Sequence, residues 1–403
     1  MQITEANKAL AEALALEIEL PESAYIRAAE RYEDLGDWFS RDLSSIREFS
    51  PHVHSQGSFR LGTAIRPLGQ TEEYDLDLTC RLDRGISPST HTQAELKGLI
   101  KAELKSYRKA RNIADDIEEK NRCLRLSYRD SLAFHMDIVP SIPASLPRIS
   151  QNLILLESKQ VNRSLASSIS NNVLFITDQR ESNFDQISDE WPVSNPEGFA
   201  IWFESRIQLG MKSTEWPGVR AGVEPLPLYK KRSPLQQVIQ ILKRHRDYWF
   251  RTAPHLKPVS IIITTLAARA YSGEADVLSA LKSIVFGMEN HVNHESPRVP
   301  NPVNPLEDFT DKWITREGAE LRLEVSFRLW IEQLKNDMRF IFSSPNLATI
   351  SERLDQKMSV SLSPTSMKSL GTVFAACALI EAPAIAAPYY VIEGSPAKPW
   401  QAN

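Results

Sequence analysis

Residues 56–82 read QGSFRLGTAIRPLGQTEEYDLDLTCRL, and the reading of this stretch decides the fold class. From Tyr74 to Leu82, the positions Tyr74, Leu76, Leu78, Cys80 and Leu82 alternate with Asp75, Asp77, Thr79 and Arg81. A period of two is that of a β-strand with one buried face, and it stands Asp75 and Asp77 side by side on the other face. Their Cα atoms are then ~6.6 Å apart, a span over which carboxylates can share two divalent ions ~3.5–4 Å apart. Oxygen ligands suit Mg²⁺ or Mn²⁺, and two like charges on one strand face are costly without such a cation. Just upstream, Gln56, Gly57 and Ser58 end one strand and open a turn or short helix. Gly permits close backbone approach, and amide groups with the Ser hydroxyl can hold a triphosphate.

A second strand, AFHMDIV from Ala133 to Val139, alternates Phe134, Met136 and Ile138 with His135, Asp137 and Val139. Laid beside the first at ~4.8 Å, it brings Asp137 to the same cluster, where a role as general base for an attacking hydroxyl follows. Each part alone is weak, since a bare DxD is commonly a solvated turn. A Gly-Ser turn, a DxD strand and a later Asp on an apolar strand together point to metal-dependent nucleotidyl transfer.

Around this core the chain reads as helix, strands, then helices. Two helical patterns come first, one ending near Pro21 and one from Ser23 to about Arg41 whose stripe of Tyr25, Ala29, Tyr32, Leu35 and Trp38 is a core face. Short strands follow at His52, at 74–82, at 123–128 and at 133–139, with a helix from Thr92 to Lys120 between the second and third. This mixture is an α+β domain. A Pro- and Ser-rich stretch after Pro140 leads to a strand around Val173–Thr177, and Asn195-Pro196 starts a helix. Beyond it nearly every segment is helical: 234–250, 258–271, 274–288, 308–342 with breaks, and 366–380, with a proline-rich connection at 296–308.

Composition sets bounds on function. The 403 residues, 42% hydrophobic and 24% charged, allow one large or two ordinary globular domains. Lys and Arg total 47 against 51 Asp and Glu, a net charge of -4 that disfavours the coating of long nucleic acid. Cys80, Cys123 and Cys377 form no CxxC knuckle and suit a reducing cytoplasm. No secretion signal is visible at the N-terminus. The apolar stretch Thr372–Ile392 is broken by Glu381, Pro383 and Pro388, so no membrane span is expected.

The ordered set GS, DxD and D resembles that of the polymerase β-like nucleotidyltransferase superfamily. GSFRLGTAIRP, YDLDLTC, QILKRHRDYWF and PVSIIITTLAARAY, with WPVSNPEGFAIWF and RVPNPVNPLEDFTDKW, resemble more specifically the bacterial cGAS/DncV-like nucleotidyltransferases, or CD-NTases. The resemblance implies a nucleotidyltransferase lobe with a mixed sheet over 1–194, a mostly helical lobe over 195–385, an active site in the cleft between them, and a C-terminal tail over 386–403. It implies synthesis of a cyclic di- or trinucleotide messenger from NTPs, ATP among them, in the anti-phage systems called CBASS. Asp75, Asp77 and Asp137 match the residues holding two Mg²⁺ ions, for which Mn²⁺ can substitute. Gln56, Gly57 and Ser58 match the nucleotide-binding turn, and Lys243 and Ser260 match positions that grip the donor triphosphate. An E1/E2-like partner that conjugates the synthase through its C-terminus is a further implied partner.

Blander readings stand beside these. Lys243, Arg244 and Arg246, taken as a charge run in isolation, read as a solvated basic face. His52, His54 and His135 have no HxxxH spacing and are expected as polar lining rather than metal ligands. Trp191, Trp202 and Phe203 either stack on a base or pack a core. Three scattered cysteines cannot supply the zinc insertion by which the animal relative cGAS engages duplex DNA, so no long-DNA activator is expected. Transfer of a nucleotide to an RNA end or a protein, and an inactive nucleotide-binding scaffold, are the competing functional readings.

Overall fold

The computed structural model describes residues 4–69, 74–128, 134–210 and 232–381, and the side chains of these up to 377. The tail expected over 386–403, and with it any conjugation there, lies outside the described residues, as does Ala133 at the expected start of its strand.

The chain opens with helices α1 (Glu5–Ile18) and α2 (Glu22–Ser40). Strands β1 (Pro51–Ser55) and β2 (Tyr74–Leu82) flank the short helix α3 (Gly57–Arg60). After α4 (Gln93–Ala110) come β3 (Glu118–Glu119), β4 (Leu124–Tyr128) and β5 (Phe134–Pro143). Helices α5 (Leu146–Ser158) and α6 (Arg163–Ser170) precede β6 (Leu174–Ile176), β7 (Val193–Ser194) and α7 (Pro196–Ile207). Then follow α8 (Pro234–Trp249), α9 (Ser260–Ala270), α10 (Val277–Gly287), the hairpin β8 (Pro300–Asn301) and β9 (Asn304–Asp308), and helices α11 (Arg316–Glu320), α12 (Leu323–Ile341), α13 (Leu347–Met358) and α14 (Pro364–Glu381).

The main sheet runs β1-β2-β5-β4-β3, with β6 on the far end of β5 and β7 on β6. It is mixed: β2 and β5 are parallel, while β1, β4 and β6 pair antiparallel with them. The α+β reading and the mixed sheet are therefore both present. Alternation on β2 works as its pattern requires, with Leu76, Leu78, Cys80 and Leu82 fully buried. These residues pack with Met136 and Ile138 of β5 and with Tyr32, Leu35 and Phe39 of α2 in one apolar core.

A second core belongs to the helices, and it recruits α1, whose Leu10, Leu14 and Ile18 pack with residues of α8, α10 and α12. Leu156 of α5 and Ile169 of α6 join it as well. A sequence boundary at 194 thus does not separate the cores, because the chain's first helix crosses back to the helical one.

Two expectations need correction, and one open choice is decided. The helix from Thr92 stops at Ala110 rather than Lys120: Asn112 adopts a left-handed φ of 52°, and residues 118–119 pair with β4 instead. Helices α5 and α6 fill the stretch read as Pro- and Ser-rich. Pro147 sits in the first turn of α5, where its missing N–H costs nothing, and Asn162 caps α6 through its side chain. Trp191, Trp202 and Phe203 are buried in the two cores, which selects packing over base stacking. No helix among the described residues is long and apolar enough to cross a membrane.

Candidate active site

The parallel register of β2 and β5 pairs Asp75 with His135 and, two residues along, Asp77 with Asp137. Alternation sends all four to the face opposite the apolar core. Antiparallel pairing then places Arg125 of β4 directly across from Asp137. The carboxylates from two distant segments therefore meet because the middle of the sheet is built from these strands.

Gly57 begins α3 with φ +63°, a conformation that favours glycine. A Cβ there would collide with Asp77 Oδ2, so the backbone of the turn lies against this carboxylate. The amide of Gln56 donates to the Asp77 carbonyl at 2.8 Å, which fastens the turn to β2. The Gln56 side chain is engaged elsewhere, accepting from Thr79 Oγ1 at 2.9 Å. Gly57 and Ser58 thus stand beside the carboxylates, while Gln56 ties the turn to the sheet.

The charge balance of the cluster is uneven. Burial, with the neighbouring Asp75 and Asp137, pushes the Asp77 carboxyl up to about 7. Burial acts upward on Asp75 too and is the largest single influence, but the hydrogen bond and charge of His135 together with the charge of Arg125 hold this carboxyl below its ordinary value. His135 Nε2 lies 2.7 Å from Asp75 Oδ1. Arg125 grips Asp137 with two bonds of 2.7 Å, Nε to Oδ1 and Nη2 to Oδ2. One ligand atom each from Asp75, His135 and Asp137 lies within 4.8 Å of the others, close enough for a shared ion. His135 has its partner on the neighbouring strand, which spacing along one segment does not reveal.

The basic run on α8 is not a solvated face. Lys243, Arg244, His245 and Arg246 are all buried, and the long polar side chains of α8 reach backbone carbonyls of residues 61–66. Gln236 donates to Leu61 O at 2.9 Å, Gln240 to Ala64 O at 2.9 Å, Lys243 to Thr63 O at 3.0 Å and Arg244 to Arg66 O at 2.7 Å. Positions 236, 240, 243 and 244 share one helix face by their spacing. Lys243 also bonds Thr63 Oγ1 at 3.2 Å. Burial, with the charge of Arg246, lowers its ammonium to about 7, against the pull of Asp247 and Asp77. Ser260 opens α9, and its hydroxyl accepts from Arg246 Nη1 at 2.8 Å. Lys243 is therefore bonded to the loop after α3, and Ser260 to Arg246.

Sequence reasoning missed Arg60. It follows the Gly-Ser turn and bonds two carboxylates of α7, Glu197 at 3.1 and 2.7 Å and Glu204 at 2.7 Å. It missed Arg125 as well, although period two in LRLSY sets a charge on the polar face of an otherwise apolar strand.

A family model for the nucleotidyltransferase domain of DncV-like cyclic GMP-AMP synthases matches residues 51–140, which run from β1 into β5 and include all three aspartates. The chain is 28% identical over 308 residues to a c-di-GMP synthase of Roseivirga ehrenbergii, covering 74% of this chain and 70% of that one. It is 24% identical over 319 residues to the cyclic dinucleotide synthase CdnG of Bradyrhizobium diazoefficiens, covering 74% and 68%. By these matches the chain is similar to the DncV-like nucleotidyltransferases, the CD-NTases. The solved structure of CdnG from Bradyrhizobium diazoefficiens, in complex with GTP, has the same fold, with a TM-score of 0.61 at 20% identity over 92% of this chain and 100% of that one.

Proposed function

We propose that this chain is a CD-NTase that joins nucleoside triphosphates, GTP among them, into a cyclic dinucleotide with release of pyrophosphate, within the anti-phage setting its family resemblance implies. The observation that carries the reading is the adjacency of Asp75, Asp77 and Asp137 on one face of paired strands, with the backbone of Gly57 against Asp77. The names of both curated relatives, each a cyclic dinucleotide synthase, support the product class.

The donor set fits a hard divalent ion. Carboxylate oxygens are its preferred ligands, and the crowding that raises the Asp77 carboxyl is relieved by a cation. Asp75, Asp77 and Asp137 would hold it, as Mg²⁺ or Mn²⁺. When bound, such an ion neutralises phosphate charge and lowers the pKa of a ligated hydroxyl. Asp137 takes the proton of the acceptor hydroxyl as the α-phosphate is attacked, and pyrophosphate leaves. Gly57 and Ser58 hold the donor phosphates through the backbone amides and the hydroxyl. Lys243 supplies positive charge by exchanging Thr63 for a phosphate oxygen, and Ser260 adds a donor with Arg246 behind it. Positioning and charge neutralisation provide most of the acceleration.

The purified chain is incubated with all four labelled NTPs and Mg²⁺ or Mn²⁺, treated with phosphatase, and resistant products are identified by mass spectrometry beside an Asp75→Ala/Asp77→Ala control. A resistant cyclic dinucleotide containing guanine and absent from the control is the expected result. Stable NTP binding without product would move the reading to transfer onto a macromolecule or to a scaffold.

A further inference from the structure

Magnesium has no use for an imidazole, yet one stands inside the carboxylate cluster. His135 pairs with Asp75 across β2 and β5, two residues along from the Asp77 and Asp137 pair. Its Nε2 is 2.7 Å from Asp75 Oδ1, and one ligand atom each from Asp75, His135 and Asp137 lies within 4.8 Å of the others. Ligands at ~2.0–2.2 Å around one ion lie up to ~4.4 Å apart, so a small closure completes the set.

We propose that His135 is a nitrogen ligand of this metal centre and biases it toward borderline transition ions, Mn²⁺ and Co²⁺, over Mg²⁺. The inference rests on the reading that these carboxylates hold a divalent ion and adds a ligand that the carboxylate triad does not contain. Imidazole suits first-row transition ions, whereas Mg²⁺ demands oxygen and keeps its waters. Asp75 and Asp137 come from different strands, and the side chain beside both is the one that can cap an ion they share. The competing role is an outer one, in which His135 donates to Asp75 and orients the carboxylate without touching the ion.

The two roles differ in a signal independent of turnover. The full chain is loaded with Mn²⁺ and studied by pulsed electron paramagnetic resonance for coupling to ¹⁴N. Binding of Mn²⁺, Co²⁺ and Mg²⁺ is measured by titration and competition for wild type, His135→Gln and Asp75→Asn. The expected result is a directly ligated ¹⁴N in wild type that is lost in His135→Gln, with Mn²⁺ and Co²⁺ binding weakened ~10-fold or more and Mg²⁺ binding by less than about threefold. Mn²⁺ that binds without nitrogen coupling, or an equal loss for Mg²⁺, overturns the proposal and leaves His135 as the orienting partner of Asp75. Mn²⁺ binding indifferent to Asp75→Asn sinks the underlying carboxylate reading instead. His135→Cys is the second variant: Co²⁺ bound to it shows a thiolate charge-transfer band if position 135 touches the ion, and its absence in the folded variant counts against the proposal.

Discussion

Gly57 lies so close to Asp77 that a methyl group on its Cα would overlap the carboxylate oxygen Oδ2. The φ of +63° adds backbone strain for any L side chain, ~1–2 kcal/mol. Gly57→Ala must therefore displace either the turn or Asp77. Turnover is expected to fall ~100-fold or more, since a misplacement of about 1 Å at a reacting centre costs that much, while thermal melting shifts only a few degrees. A pyrophosphate-release assay beside a thermal melt checks this, and an active, well-folded Gly57→Ala would show that close backbone approach is dispensable.

Asp77→Asn is expected to abolish turnover and to stabilise the metal-free protein. The folded carboxyl titrates at about 7, above its ordinary 3.8. The folded state therefore holds the proton more tightly, and stability falls as pH rises from about 4 through 7. Asparagine removes that loss, by roughly 1–4 kcal/mol at pH 8. Denaturant melts with a chelator at pH 4 and pH 8 should show a gain at the higher pH alone.

The Arg60 guanidinium joins the turn beside the carboxylates to α7 through Glu197 and Glu204, with both side chains of the stronger pairs largely buried. Arg60→Met leaves two acidic groups without their cation, which costs ~3–5 kcal/mol for a buried pair. Adding Glu197→Gln and Glu204→Gln should recover most of this in urea melts. If the triple variant is no more stable than Arg60→Met, the pairing does not account for the loss.

His54 is buried on β1, neither ring nitrogen has a hydrogen-bond partner among the described residues, and burial with Arg81 nearby lowers its pKa to about 3. The unfolded chain binds the proton more readily, so stability is full above pH 6.5 and falls as the solution is acidified toward 3. The slope from this group approaches ~1.4 kcal/mol per pH unit. His54→Phe should flatten the acid limb of a stability-versus-pH curve, and an unchanged limb would assign it to carboxylates instead.

Local pattern carried the parts of the fold that depend on neighbours in sequence. Period two in YDLDLTCRL is visible because one face of β2 must be apolar, and the Asn195-Pro196 start of α7 is visible because capping is a local hydrogen bond. Helices α5 and α6 were hidden by Pro147 and by serines, residues that end helices in most settings and open them in this one. The placing of α1 was hidden for a different reason: α1 is amphipathic in sequence, but which core receives its stripe is settled by packing.

By itself the sequence determined that three aspartates lie on polar strand faces beside a Gly-Ser turn, because alternation dictates which way a strand side chain points. Only the tertiary structure decided that His135 and Arg125 join them, since these meet Asp75 and Asp137 through strand register between distant segments. It alone also decided the role of the basic run on α8, whose side chains grip carbonyls of residues 61–66. Every residue offers a carbonyl, so a bond from a side chain to the backbone leaves no mark on the sequence that accepts it.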